Sequence, residues 1–250
     1  MKPTAAISTR TATATRSEPR LARVASLLAD ASRARMLGHL LGGEYASAGE
    51  LARAAGVSAA TASGHLLQLL DAGLLACEPR GRHRYYRLAD AEVAHALEAL
   101  ALVAERGTHE RSWSSPARAR LRHARCCYGH LAGQLGVGLL RGLLQAGCLQ
   151  AQAEGRYAVS DAGVRALDGL GLDGAAWQRR AAGGVGRGVA YGCLDWSERR
   201  DHLAGPLAAA LLTQCLAQGW LQRPAGDRAL VLTPPGQQAL GHWLRLDEVA

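Results

Sequence analysis

The stretch SAGELARAAGVSAATASGHLLQLLDAGLL, residues 47–75, constrains the fold most, because it contains two helices with almost no chain between them. Ser47 and Glu50 are spaced as a capping box, so a helix begins at Ser47, and Gly56 suits the helix end. Ser58 is a good N-cap for the next helix. The sequence therefore predicts a short helix, one tight turn around Gly56 and a second helix.

The second of these helices begins with small polar residues and continues with leucines on one side, which is typical of a helix-turn-helix. Small hydrogen-bonding side chains let the first turns of a helix approach base edges in the major groove, while the leucines hold it to a core. We expect the following residues to face DNA: Ser58, Thr61, Ser63, His65 and Gln68.

A basic hairpin is predicted directly after this helix. Leu74 to Glu78 form one strand, Pro79, Arg80 and Gly81 a turn, and GRHRYYRL supplies the second strand, Arg82 to Leu88. Such a ribbon beside a recognition helix can grip phosphates without reading sequence. The alternative is an ordinary solvated hairpin. The expected contacts to double-stranded DNA are Arg80, Arg82, Arg84 and Tyr86.

Helical periodicity surrounds this unit. Two helices precede it, around Leu21–Leu28 and Met36–Leu41, with Asp30 or Ser32 capping the second. A further helix runs from Asp90 to about Arg106 and carries an apolar stripe, which is either core or the seam of a homodimer. The stripe consists of Val93, Leu97, Leu100 and Ala104.

In this order of elements, residues 20–107 resemble the ArsR/SmtB family of winged-helix repressors, most clearly over VSAATASGHLLQLLDAGLLACEPRGRHRYYRL. The resemblance implies a homodimer that binds an operator and leaves it when an inducer binds. Two familiar sensing sites of that family do not carry over. Glu50-Leu51-Ala52-Arg53 stands where the arsenic-type site has a Cys-x-Cys pair, and Val93 stands where the zinc-type site needs an Asp before His95.

Composition adds little to this interpretation. The formal charge of +8 favours an acidic partner such as nucleic acid, but residues 19–107 are nearly balanced in charge. No apolar run is long enough to cross a bilayer and no secretory signal is evident, so we expect a cytoplasmic protein without membrane contact. Six cysteines in a reducing compartment are then free thiols or metal ligands rather than disulfides.

The expected organisation is a disordered tail (1–18), a winged helix-turn-helix domain (19–107), a basic connector (108–125) and a C-terminal domain (126–250) with an internal repeat. The repeat pairs HLAGQLGVGLLRGLLQAGCL with HLAGPLAAALLTQCLAQGWL, within about 126–176 and 193–246. Each copy continues into a predicted hairpin and resembles part of the first domain. The predicted fold class is mainly α with short β-hairpins (α+β), the second domain being two winged-helix-like repeats.

Cysteine and histidine recur just before each copy. If the copies are related by pseudo-symmetry, two thiolates and two imidazoles converge into a tetrahedral site for zinc, cadmium or another soft divalent metal that acts as inducer. The candidate ligands are Cys127, His130, Cys193 and His202. The plain alternative is core cysteines beside helix-capping histidines, and Cys148 and Cys215 lie in leucine-rich helix ends.

Three other hypotheses stay open for the C-terminal domain. Arg122 and Arg125 would lower the pKa of Cys126 or Cys127 and favour thiol redox or persulfide sensing. A protein-protein interaction module on a constitutive DNA binder is the second. The third is a Cys-dependent enzyme built on Cys193, Asp195 and His202, but no phosphate loop or nucleophile elbow accompanies them, so we expect no catalytic residues and no enzyme activity.

Overall fold

The computed structural model describes residues 20–43, 45–81, 83–105, 115–182, 188–224 and 227–244, without the side chains of 242–244. The predicted tail at 1–18 and Arg82 lie outside the described residues. None of the helices in the described part of the chain has the length and apolar character needed to span a membrane. The prediction of a mainly helical α+β chain with short antiparallel hairpins is confirmed.

The N-terminal domain is a winged helix. Its elements are α1 Arg20–Leu28, α2 Ala31–Leu40, β1 Ala46–Ser47, α3 Ala48–Ala55, α4 Ala59–Asp71, β2 Leu75–Arg80, β3 His83–Leu88 and α5 Ala91–Ala104. The helix ends follow local chemistry. Ser47 and Glu50 form the capping box, and Gly56 ends α3 with a φ of 70°, in the left-handed region that favours glycine. Ser58 caps α4, and Asp30 rather than Ser32 caps α2.

The wing hairpin differs from the prediction in its turn. Strand order is β1-β3-β2, and β2 extends to Arg80, which pairs with His83, while Pro79 pairs with Arg84. Proline is tolerated there because β2 is an edge strand, whose outward N–H groups need no partner in the sheet. The turn therefore begins at Gly81, which has a φ of 62°.

The C-terminal domain repeats one unit: hairpin, helix, hairpin, helix. Its elements are α6 Pro116–His123, β4 Arg125–Cys127, β5 His130–Ala132, α7 Gly133–Gln145, β6 Leu149–Ala151, a 3-10 turn Ala153–Gly155, β7 Tyr157–Val159, α8 Asp161–Gly169, α9 Gly174–Ala182, β8 Tyr191–Leu194, β9 Asp201–Ala204, α10 Pro206–Ala217, β10 Leu221–Gln222, β11 Val231–Leu232 and α11 Pro234–Leu244. In each copy, a helix, a hairpin and a second helix follow one another in the same order as α4, the wing and α5 of the first domain. The element before them is a hairpin in each copy, whereas it is helix α3 in the first domain.

The repeated HLAG sequence has a steric cause. Gly133 and Gly205 lie where each first hairpin passes into its helix, with φ of 78° and 94°. A Cβ on Gly133 would lie 2.5 Å from the carbonyl oxygen of Arg122, and one on Gly205 would lie 2.8 Å from that of Val189. Only glycine fits this junction, so both copies carry it.

The two domains have separate cores and a polar contact between them. The N-terminal core contains Met36, Leu51, Leu66, Leu69 and Leu88, and the C-terminal core contains Leu135, Leu139, Leu207, Leu211 and Leu240. Between them, the Tyr128 amide donates to the Leu41 carbonyl at 2.6 Å, and Arg223 donates to the Gly42 carbonyl at 3.1 Å. The C-terminal domain is thereby docked onto the end of α2.

Arg125 was expected at the end of the basic connector, 108–125, and is instead buried. Residues 106–114 lie outside the described part, while Pro116–His123 form α6 and Arg125 begins β4 with no exposed surface. The reason is electrostatic: two carboxylates of distant elements surround the Arg125 guanidinium, as described below.

Candidate functional site

The start of α4 presents polar side chains to solvent, as the sequence predicts. Ser58, Thr61, Ser63 and Gln68 are exposed. His65 is half-buried: its Nδ1 lies 3.3 Å from Arg33 Nη1, and the same guanidinium donates to Gln68 Oε1 at 2.9 Å. His65 and Gln68 therefore contact α2 in the free protein.

The wing presents arginines but not Tyr86. Arg80 and Arg84 are exposed, and the Arg80 guanidinium lies 4.2 Å from the centre of the Tyr45 ring and 3.4 Å from Glu78. Tyr86 lies on the same face of β3 as Arg84, but it is two residues further from the hairpin tip and only 7% exposed. At that position the strand face already packs against the N-terminal core. The expectation that Tyr86 contacts DNA is corrected: it is a core residue that anchors the wing.

The described ligand atoms of Cys127, His130, Cys193 and His202 all lie within 4.8 Å of one another, and all four residues are buried. Each comes from a hairpin in which the cysteine and the histidine are paired across the strands, Cys127 with His130 and Cys193 with His202. The two hairpins of the internal repeat meet at this point. The cluster is hereafter called the Cys/His site.

The spacing suits a tetrahedral ion. His130 Nδ1 and His202 Nε2 are 3.2 Å apart, and a Zn–N bond of about 2.0–2.1 Å gives a tetrahedral edge of about 3.3–3.4 Å between two nitrogens. Two sulfurs at about 2.3 Å from zinc are about 3.8 Å apart by the same geometry. A modest contraction of the widest pair, at up to 4.8 Å, would complete the coordination.

Asp195 organises the histidine side of the site. Its Oδ2 lies 3.2 Å from His202 Nδ1, within hydrogen-bonding reach although off the ideal line, which leaves Nε2 facing the site. The same oxygen accepts from the Gly133 amide at 2.7 Å, at the start of α7 in the other half of the domain. A carboxylate behind a histidine ligand is the arrangement that orients imidazoles in metal sites.

The pKa values within the site are strongly perturbed. Burial and the neighbouring His202 lower the pKa of His130 to about 3, so this imidazole is neutral. Burial alone would lower the pKa of His202, but contacts with Asp195 and Cys193 outweigh it and raise the value to about 9. Burial likewise opposes ionisation of Asp195, yet His202 and Arg125 hold its pKa well below the ordinary value.

The pKa values of the two thiols are shifted in opposite directions. A hydrogen bond between them lowers the pKa of Cys193 far below its ordinary value and raises that of Cys127 well above it. The idea that nearby arginines make Cys126 or Cys127 reactive is corrected, since burial raises the pKa of Cys126. Arg122 pairs with Glu198 at 2.9 Å and Arg125 with Asp195 at 2.9 Å instead.

A cleft of about 680 Å³ leads to the site beside Cys193, which is 8% exposed. Helix α5 of the first domain forms one wall with His95 and Glu98, and β8 forms the other with Tyr191. Glu98 and His95 are neighbours of the site that the sequence does not predict. No local signal marks them, because they approach it only through the packing of the two domains.

A catalytic triad of a thiol, a base and an acid is the alternative arrangement, and it would consist of Cys193, His202 and Asp195. A nucleophilic site needs one thiol next to one imidazole, whereas here a second thiol, Cys127, and a second imidazole, His130, face the same point. The pairing of both residue types is what a metal site requires. The arrangement therefore fits ion binding better than nucleophilic catalysis.

The exposed polar start of α4 beside a basic hairpin defines the class, a winged helix-turn-helix DNA-binding protein. Residues 28–78 match the family model described as a helix-turn-helix domain. The chain is 38% identical over 221 residues to the uncharacterized HTH-type transcriptional regulator YdfF of Bacillus subtilis (strain 168), covering 88% of this chain and 95% of that one. The match to this relative, together with the family model, shows that the chain belongs to the HTH-type transcriptional regulators.

Two solved structures that resemble this chain cover about a third of it. The winged helix-turn-helix domain of Mb0332 from Mycobacterium bovis, a possible ArsR-family regulator, is 31% identical and covers 35% of this chain and 81% of that one, with a TM-score of 0.33. The cadmium sensor CMTR from Mycobacterium tuberculosis is 38% identical and covers 32% of this chain and 81% of that one, with a TM-score of 0.28.

Proposed function

We propose that this regulator is a homodimeric repressor that leaves its operator when a soft divalent metal ion, zinc or cadmium, occupies the Cys/His site. The observation that carries the proposal is the convergence of two thiols and two imidazoles, all buried, with ligand atoms within 4.8 Å of one another. Polar groups are costly to bury without partners, and a single ion would serve as a partner for all four at once.

The protonation states support an ion as that partner. Burial lowers the pKa of His130 to about 3, so its imidazole can offer a lone pair, and the lowered pKa of Cys193 favours its thiolate form. Cys127 and His202 would each release a proton as the ion binds. Thiolate and imidazole together select zinc, cadmium and similar ions over magnesium or calcium, which prefer oxygen ligands.

The DNA side of the proposal rests on α4 and the wing. Ser58, Thr61 and Ser63 are exposed, and we propose that they contact base edges. Arg80 and Arg84 are exposed as well, and we propose that they contact phosphates. Arg82, which lies outside the described residues, belongs to the same hairpin tip in the sequence and is proposed as a further phosphate contact.

The dimer is proposed from α5. Leu100 and Val103 on this helix are 49% and 51% exposed, while its buried residues are Ala94 and Glu98. An exposed apolar pair on a helix that closes the DNA-binding domain suits a second copy of the chain. Two recognition helices related by two-fold symmetry would then read a palindromic operator.

Fluorescence anisotropy with the reduced full chain and its own upstream DNA tests the proposal. We expect cadmium or zinc to release the DNA from the wild type and from Cys215→Ser, a control in the core, but not from Cys127→Ser or Cys193→Ser. Light scattering of the same samples should give the mass of a dimer. DNA binding that ignores every metal in the wild type would contradict metal sensing and leave the C-terminal domain as an interaction module.

Thiol oxidation is the second candidate. It is favoured by the direct contact of Cys127 with Cys193 and by the lowered pKa of Cys193, which makes it the stronger nucleophile of the pair. A polysulfide or peroxide arm of the same titration separates the two mechanisms. Release by these agents with loss of both free thiols, and no release by metal, would favour redox sensing.

A further inference from the structure

A series of buried charges of alternating sign joins the Cys/His site to α5. His202 Nδ1 lies 3.2 Å from Asp195 Oδ2, and Asp195 Oδ1 lies 2.9 Å from Arg125 Nη2. The same Nη2 is 3.7 Å from Glu98 Oε2, and Glu98 Oε1 accepts a 2.7 Å hydrogen bond from Arg228. These contacts lead from a proposed metal ligand to the helix that follows the wing.

The burial of these charges is the unusual feature. Arg125 and Asp195 have no exposed surface, and Glu98 is 3% exposed. Apolar residues of the same size are often as stabilising as buried ion pairs, so such pairs are weak evidence for stability and better evidence for a specific arrangement. Glu98 also stands out within α5, whose other buried residue is an alanine.

We propose that Glu98 is the positioning residue through which occupancy of the Cys/His site moves α5 and lowers DNA affinity. This inference rests on the proposed function and adds the route of its regulation. Glu98 is neither one of the proposed metal ligands nor one of the proposed DNA contacts. It holds α5 to Arg125, and Arg125 is held by the carboxylate that also faces His202.

The ion would act on this route through geometry. Ligand atoms now up to 4.8 Å apart would be drawn to about 3.3–3.8 Å in a tetrahedral site, a shift on the order of 1 Å. A close-packed interior absorbs little of such a shift. His202 would change its contact with Asp195, and the rearrangement would pass through Arg125 to Glu98.

Movement of α5 reaches the DNA-binding surface because the wing leads directly into it. Strand β3 ends at Leu88, and the Asp90 side chain caps α5 by accepting from the Val93 amide at 2.9 Å. The exposed apolar residues proposed for the dimer, Leu100 and Val103, lie on the same helix. A displaced α5 would therefore change both the wing position and the spacing of two recognition helices.

A competing route exists through the backbone. Tyr128 follows the proposed ligand Cys127 and donates to the Leu41 carbonyl at the end of α2, at 2.6 Å. This route involves no charged side chain and would survive a change at Glu98. The two routes are thus separable by mutation.

The test compares Glu98→Gln with Glu92→Gln, an exposed position on the same helix. Cadmium affinity is measured from the absorbance of the sulfur–cadmium bonds, and DNA affinity by anisotropy with and without cadmium. We expect both full-length variants to bind cadmium within threefold of the wild type. The wild type and Glu92→Gln should lose DNA affinity by a factor of about 5–150 on binding cadmium, and Glu98→Gln by less than twofold.

Because Glu98→Gln leaves Arg228 without its carboxylate partner, a second variant replaces both residues with leucine, removing the pair rather than breaking it. The same loss of response is expected. A full cadmium response in either folded variant would overturn the proposal and favour the Leu41–Tyr128 route. Absence of cadmium binding by the wild type would instead reject the proposed function itself, and this inference with it.

Discussion

Replacement of Asp195 by asparagine probes a side chain that contacts both halves of the C-terminal domain. Its Oδ1 accepts from the Ser197 amide at 2.9 Å and the Ser197 hydroxyl at 2.7 Å. Its Oδ2 accepts from the Gly133 amide at 2.7 Å and faces His202. The Gly133 amide lies against Oδ2, and the Ser197 amide and the Arg125 guanidinium lie against Oδ1, so the new NH₂ group faces at least one donor in either orientation.

The cost follows from these contacts. A buried donor facing donors costs about 1–3 kcal/mol, and a buried ion pair that loses one charge costs about 3–5 kcal/mol. Because Glu98 still faces Arg125 at 3.7 Å, we expect the free energy of unfolding to fall by about 3–5 kcal/mol in total. In a chain of this size, this corresponds to roughly 6–20 °C in Tm. Zinc affinity should fall about 10–100-fold, as for other carboxylates behind histidine ligands.

Denaturant titration of the metal-free protein measures the first effect, and competition with a chromophoric zinc chelator at pH 7.5 measures the second. Asp201→Asn, an exposed position in the same hairpin, is the control and should change neither value appreciably. If folded Asp195→Asn keeps wild-type zinc affinity within threefold and loses less than about 1 kcal/mol of stability, the orienting role of Asp195 is refuted.

Three smaller effects are expected. Burial lowers the pKa of His130 to about 3 from 6.5, so below pH 6.5 the unfolded chain binds a proton at this residue that the folded chain does not. On going from pH 7.5 to pH 5, the wild type should therefore lose about 2 kcal/mol more free energy of unfolding than His130→Gln does, as measured by urea titration. Arg84→Ala should reduce the slope of log affinity for DNA against log salt by about 1, whereas Tyr86→Phe should not, and an unchanged slope would remove Arg84 from the phosphate contacts. Ser58→Ala removes the cap on the Thr61 amide and should cost about 1 kcal/mol in thermal unfolding; an unchanged Tm would contradict that.

The fold of the first domain could be predicted from the sequence because local interactions set its helix ends. Ser47, Glu50, Gly56 and Ser58 fix helix ends through contacts within four residues, so their effect does not depend on the rest of the fold. The repeated HLAG is equally informative, since one steric requirement at each junction preserves glycine in both copies.

The errors in the wing have a different origin. Alternation along β3 correctly puts Arg84 and Tyr86 on one face, but it does not say how far the core reaches along that face. Pro79 was taken as a turn residue because proline interrupts most strands, and only the strand order reveals that β2 is an edge.

The charges around the Cys/His site could not be predicted for a related reason. Glu98, Arg125 and Asp195 come from three distant parts of the chain, and their pairing is set by the docking of domains rather than by spacing. For Asp195 the sequence contains a weak indication, because an aspartate side chain often accepts a hydrogen bond from the backbone amide two residues further on. In the structure the Ser197 amide donates to Asp195 in this way. Glu98 left none, because a glutamate on a helix is usually solvated.

Because both ligand hairpins belong to one chain, ion binding at the Cys/His site should not depend on the concentration of the protein. Each supplies one cysteine and one histidine at paired positions, and both hairpins belong to one polypeptide. The second pair of ligands is thus present at an effective concentration fixed by the tether, whereas a site shared by two subunits would come apart on dilution. A single chain also frees its copies to diverge: the first hairpin turns through Tyr128 and Gly129, where the second has room for Asp195. The ion concentration at which the site fills would then be a property of the single subunit and would not change with the number of regulator molecules in the cell.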